Sequence, residues 1–68
     1  MNVKWIDGFE IRTEAAGGAV SIRANREGLL SLAGIFAALA EEPDGSHIHL
    51  DAFNSLEEGS AELIVEKG

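Results

Sequence analysis

Residues 25–42 constrain this chain more than any other stretch. Leu29, Leu32, Ala33, Phe36, Leu39 and Ala40 recur there at steps of three and four, which on a helix makes one apolar stripe. Asn25 stands where an N-cap belongs, its side-chain oxygen able to accept from the free N–H groups of the first turn. Glu27 meets the positive end of the helix dipole. Pro43-Asp44-Gly45 ends the helix and turns the chain. Gly34, in mid-helix, costs about 1 kcal/mol relative to Ala. The stripe predicts a helix laid on a sheet, with Ser31, Gly34 and Ala38, flanked by Ile35, on its outer face. That back carries few charges before Glu41 and Glu42; it either offers a surface for packing on another molecule or is simply solvent-exposed, as Ala-rich helices often are.

The flanks alternate as strands do. In residues 9–14, Phe9, Ile11 and Thr13 point one way and Glu10, Arg12 and Glu14 the other. Gly17-Gly18 permits the positive φ angles of a tight reversal. Residues 19–24 then set Val20 and Ile22 inward, with Ser21 and Arg23 outward. After the helix, residues 46–51 set Ile48 and Leu50 inward and His47, His49 and Asp51 outward. A polar loop follows at 52–59. The last strand, 60–67, turns Ala61, Leu63 and Val65 toward the helix and Glu62, Ile64 and Glu66 away. Asp7-Gly8 suits a hairpin turn, so a further short strand at 2–6 is allowed. The expected fold is a single α+β domain over residues 1–68, β-β-α-β-β. It is a four-stranded, mainly antiparallel sheet with one helix packed on one face. The third strand runs parallel to the second, which places loop 52–59 at the end where Asn25, Arg26 and Glu27 begin the helix.

Size and charge narrow the function. A chain of 68 residues buries only about 60% of its unfolded surface, and one helix on a thin sheet leaves little room for a deep pocket. There is no cysteine, hence no disulfide framework and no thiolate metal site, which fits a reducing compartment. No apolar run approaches the roughly 20 residues of a membrane span, and the first residues lack the pattern of a signal peptide. A soluble cytoplasmic protein is expected. Five Lys and Arg stand against twelve Asp and Glu, a net charge of −7. That balance disfavours binding to nucleic acid, which needs a basic surface. It suits a basic protein partner, and it also keeps a small protein soluble.

Three constellations carry candidate chemistry. His47 and His49 lie on one side of a strand, roughly 7 Å apart at Cα, a spacing at which two imidazoles can share a zinc ion. Asp51 is a further ~7 Å along, so a third ligand would have to come from Glu62, Glu66 or Glu10. Two solvated histidines are the commoner outcome, and no metal or other cofactor is expected. For acid–base catalysis the twelve carboxylates offer too many pairs for one to be informative. No nucleophile motif or phosphate-cradling loop is present, so no catalytic residue is assigned and the expected role is binding. The third constellation is a recognition surface where the helix starts, built from Arg26, Asp51, Asn54, Glu57 and Glu58. There Arg26 is placed to pair with Asp51 or Glu57, Asn54 and Ser55 to satisfy loop backbone groups, and Glu57 and Glu58 to face a basic partner. The open sheet face, with His47 and His49, is a second candidate surface.

Two stretches carry a family resemblance. One is Ala24-Asn25-Arg26-Glu27-Gly28-Leu29-Leu30-Ser31-Leu32-Ala33. The other is Gly45-Ser46-His47-Ile48-His49-Leu50-Asp51, followed by Asn54-Ser55-Leu56-Glu57 and by residues 59–67. Together they resemble the immunity protein family numbered thirty-two of bacterial polymorphic toxin systems, over most of residues 9–67. The resemblance implies neutralisation of a toxin, often a nuclease, encoded next door. It brings no catalytic residues. Nuclease domains tend to be basic and this chain is acidic, so steering would speed capture. The alternative reading is a self-associating module, a homodimer built on the small-residue helix back or on a sheet edge; a metal-binding domain using His47 and His49 comes third.

Overall fold

In the computed structural model, which describes all of residues 1–68, Gly17 and Gly18 take φ angles of 60° and 79°. Two successive positive values are those of a type I′ turn, whose twist matches that of the strands it joins. It connects β1 (Ile11–Ala16) to β2 (Ala19–Ala24) as an antiparallel hairpin with Ala16 opposite Ala19. The register sets Thr13 opposite Ile22 on one face and Arg12 opposite Arg23 on the other. Ile11 and Thr13 are buried, as their alternation predicts.

The helix α1 (Arg26–Ala40) begins at the expected cap. Asn25 Oδ1 accepts from the Gly28 N–H at 2.8 Å and from the Glu10 N–H at 3.0 Å, while its Nδ2 donates to the Gly8 carbonyl at 2.8 Å. One side chain therefore starts the helix and ties it to the approach to β1. The buried face is Gly28, Ser31, Leu32, Ile35 and Leu39. This is the expected stripe turned by about one position. Leu29, Ala33, Phe36 and Ala40 are exposed, and Ser31 lies inside rather than on the outer back. Two contacts impose the rotation. Gly28 sits so close to β1 that a Cβ there would come within 2.6 Å of the Glu10 carbonyl oxygen. The Ser31 hydroxyl donates to the Glu27 carbonyl at 2.7 Å and accepts from the Ile6 N–H at 2.9 Å, so the buried polar group is satisfied from both sides.

That second bond belongs to an N-terminal arm. Residues 1–6 form no strand; they lie along the helix. Asp7-Gly8 does make a turn, closed by the Phe9 N–H on the Ile6 carbonyl. Trp5 stacks on Phe9 at 4.6 Å between centroids, and the Met1 ammonium reaches Glu42 at 3.5 Å.

β3 (His47–Leu50) pairs antiparallel with β4 (Leu63–Glu66). The element order is as expected and the class is α+β, but the single four-stranded ladder is not formed: β1–β2 and β3–β4 are separate two-stranded ladders. Residues 57–61 join them along the outer edge of β1. The Glu57 N–H donates to the Ile11 carbonyl at 2.8 Å and the Ala61 N–H to the Thr13 carbonyl at 3.1 Å. The Thr13 N–H, however, is taken by the Ser60 hydroxyl at 3.2 Å, and the Thr13 hydroxyl donates to the Ala61 carbonyl. Side chains replace rungs, and Gly59 turns the chain at φ 87°, so the ladder breaks there. It also shortens β4 relative to the expected 60–67. The core forms over this junction: Ile11, Leu32, Leu50 and Leu56, with Trp5, Phe9, Ala24, Ile48 and Leu63 packed against them.

Candidate functional site

The loop after β3 is held by its own side chains. Asp51 Oδ1 accepts from the N–H groups of Phe53, at 2.9 Å, and Asn54, at 3.1 Å, the pattern by which an Asx side chain mimics a backbone turn. Its carbonyl accepts from the Ser55 and Leu56 N–H groups at 3.0 and 2.9 Å. Asn54 closes the loop in return: its Oδ1 accepts from the Asp51 N–H at 3.0 Å and its Nδ2 donates to the His49 carbonyl at 2.9 Å. Leu56 enters the core just beyond and pins the far end. Asp51 and Asn54 thus act on their own backbone, as expected for Asn54.

What the loop presents is Phe53, 99% exposed. The alternation pattern did not single it out, because it sits among loop residues where no period operates. The available signal was its type: a large aromatic between Asp51 and Asn54, in a mostly polar loop whose other large apolar residue, Leu56, is buried. A fully solvated phenyl ring on a hydrogen-bonded turn is a ready contact point, since interface cores are enriched in aromatic residues, phenylalanine among them.

Glu57 and Glu58 follow on the same loop. Their backbones are fixed while their carboxylates stay exposed. The Glu57 N–H is bonded to β1, and the Glu58 carbonyl accepts from Arg12 at 3.0 Å. Neither carboxylate takes part in an ion pair. The loop anchor is therefore Arg12 and not Arg26. Arg26 lies largely in solvent and pairs with its neighbour Glu27, at 3.5 Å, rather than with Asp51 or Glu57; the adjacent carboxylate one residue on in the first helical turn is the nearer partner.

Two open hollows flank these groups. One, of about 430 Å3, is lined by Glu10, Ile11, Arg12, Arg23, Ala24, Asn25 and Glu57. It brings the start of the helix and the acidic loop together, the juxtaposition expected from strand direction. The other, of about 290 Å3, is lined by Val3, Trp5, Ile35, Ile48, His49, Leu50 and Asn54. His47 and His49 stand on the outer face of the β3–β4 ribbon, their rings edge-on at 5.1 Å. His49 Nδ1 lies 3.2 Å from Glu62 Oε2, and His47 Nδ1 lies 3.2 Å from the Gly45 carbonyl. No group of three or more His, Cys, Asp or Glu side chains is placed to hold a metal ion. No helix is long and apolar enough to cross a membrane.

Residues 19–68 match the family model described as Immunity protein 32. The match takes in β2, α1, the loop and the β3–β4 ribbon, and includes both stretches that carry the resemblance; β1 lies outside it. No curated protein and no solved structure matches the chain.

Proposed function

The chain belongs to the Immunity protein 32 family, and from that premise we propose that it neutralises a cognate bacterial toxin by binding it, without chemistry of its own. The observation that carries the reading is Phe53, fully solvated on a turn locked by Asp51 and Asn54. Burying a Phe side chain contributes about 1.5–3 kcal/mol. A loop already held in one conformation loses less entropy on docking. Glu57 and Glu58, free of ion pairs, supply an acidic rim.

The charge points to the kind of toxin. A net charge of −7 repels acidic partners and steers basic ones. A nuclease needs a basic surface to hold phosphates, so a nuclease domain is the class of toxin that fits. A toxin made in the same cell must be met where it is made, which makes the cytoplasm the place of action.

The test is calorimetric titration of the toxin encoded by the adjacent gene. Wild type is expected to bind one-to-one, and Phe53→Ala to lose at least about tenfold in affinity, as a hot-spot aromatic does. Unchanged affinity in Phe53→Ala would remove the loop from the interface.

A further inference from the structure

Arg12 and Arg23 stand directly opposite each other on β1 and β2, on the hairpin face turned away from buried Ile11 and Thr13. Like charges set opposite one another across two strands destabilise the pairing. A chain with twelve Asp and Glu against five Lys and Arg has ample carboxylates to neutralise both. It does not use them: neither arginine takes part in an ion pair. Glu10 and Glu57 line the same hollow of about 430 Å3, yet neither carboxylate closes on a guanidinium.

The fold accounts for Arg12 and leaves Arg23 over. Arg12 Nη1 donates to the Glu58 carbonyl at 3.0 Å and ties the loop to β1. That occupies one nitrogen of a group with five N–H donors. Arg23 is exposed and has no charged partner. Two guanidiniums side by side on a tight hairpin suit a planar oxyanion, which each can grip through parallel N–H···O bonds.

The rest of the hollow selects the source of that oxyanion. Glu10 and Glu57 repel a free anion or a nucleic-acid phosphate, and so does the net charge of −7. A carboxylate set within a basic surface meets no such barrier, because the cations around it face Glu10 and Glu57. The mixed signs in the hollow thus call for the opposite signs, in the same arrangement, on a protein partner.

We propose that Arg12 and Arg23 together bind a carboxylate that lies within the basic surface of the toxin, and that this contact selects the cognate toxin among basic ones. This rests on the toxin-binding reading above and adds its specificity. Net charge steers any basic protein toward the chain. A toxin without the carboxylate would leave two guanidiniums covered and unpaired, which penalises the wrong complex.

Calorimetric titration of the toxin encoded by the adjacent gene, with dissociation followed by stopped flow, tests this on two variants. Arg23→Gln and Lys4→Gln each make the chain more acidic by one charge. Lys4 is exposed on the N-terminal arm and forms no ion pair. Steering alone predicts that both variants bind a basic toxin at least as tightly as wild type. A local carboxylate contact predicts that for Lys4→Gln only. Arg23→Gln is expected to lose at least about thirtyfold in affinity, with the change in the dissociation rate. The urea midpoint of the free Arg23→Gln chain is expected at or above that of wild type, since the opposing charge is gone. Arg23→Gln binding as tightly as wild type, Lys4→Gln weakening the complex equally, or an Arg23→Gln midpoint well below wild type overturns the proposal and leaves toxin binding standing. A wild type that does not bind the toxin overturns both.

Discussion

The Glu10 carbonyl oxygen occupies the space where a side chain at Gly28 would begin: a Cβ there would lie 2.6 Å from it and 2.9 Å from Ile11 Cγ1. The helix is seated on β1 by the absence of that one carbon. Gly34, on the same helix, has nothing within 4 Å of the corresponding point. Alanine at the two positions should therefore act with opposite sign. Gly28→Ala gains about 1 kcal/mol of helix propensity but must push backbone apart, an overpacking cost of about 1–3 kcal/mol, and is expected to be net destabilising. Gly34→Ala keeps the propensity gain and is expected to stabilise by up to about 1 kcal/mol. Urea denaturation of the two variants beside wild type reads both signs.

Ser31 gives a second prediction. Its hydroxyl is the acceptor for the Ile6 N–H, so Ser31→Ala strands a part-buried donor. The cost of such a loss is about 1–3 kcal/mol. The arm should loosen with it, and Trp5, the only tryptophan, reports the change. Its fluorescence is expected to shift to the red in Ser31→Ala before global unfolding. An unshifted spectrum and unchanged stability would mean the arm is held by other contacts.

These two contacts also show which parts of the fold could be read from the chain. The cap at Asn25, the reversal at Gly17-Gly18 and the order of elements are set by residues close in sequence, and all three were legible. The rotation of α1 was not, because its determinants are Glu10 and Ile6, distant residues meeting Gly28 and Ser31. Amphipathic spacing ranked Leu29 and Phe36 above a serine and a glycine, and tertiary contact reversed the ranking. The break between the ladders has the same origin, since Ser60 competes with a backbone carbonyl for the Thr13 N–H. At the site, the acidic loop and its meeting with the helix start followed from strand direction. Phe53 and the anchoring role of Arg12 did not, because neither depends on periodicity.

Electrostatic capture by Glu57 and Glu58 makes a kinetic prediction. Reversing both to Lys should slow association with the toxin and flatten its salt dependence, with a smaller change in dissociation. Stopped-flow association at several ionic strengths measures this. A wild-type on-rate that does not fall as salt rises would remove steering from the account.

Titration of toxin activity against this protein tests the central claim most directly. Neutralisation by binding predicts a linear loss of activity that reaches completion at one chain per toxin. It also predicts that Phe53→Ala needs a clear excess to reach the same point. Full inactivation by a small fraction of an equivalent, or toxin activity untouched at any ratio, would contradict it.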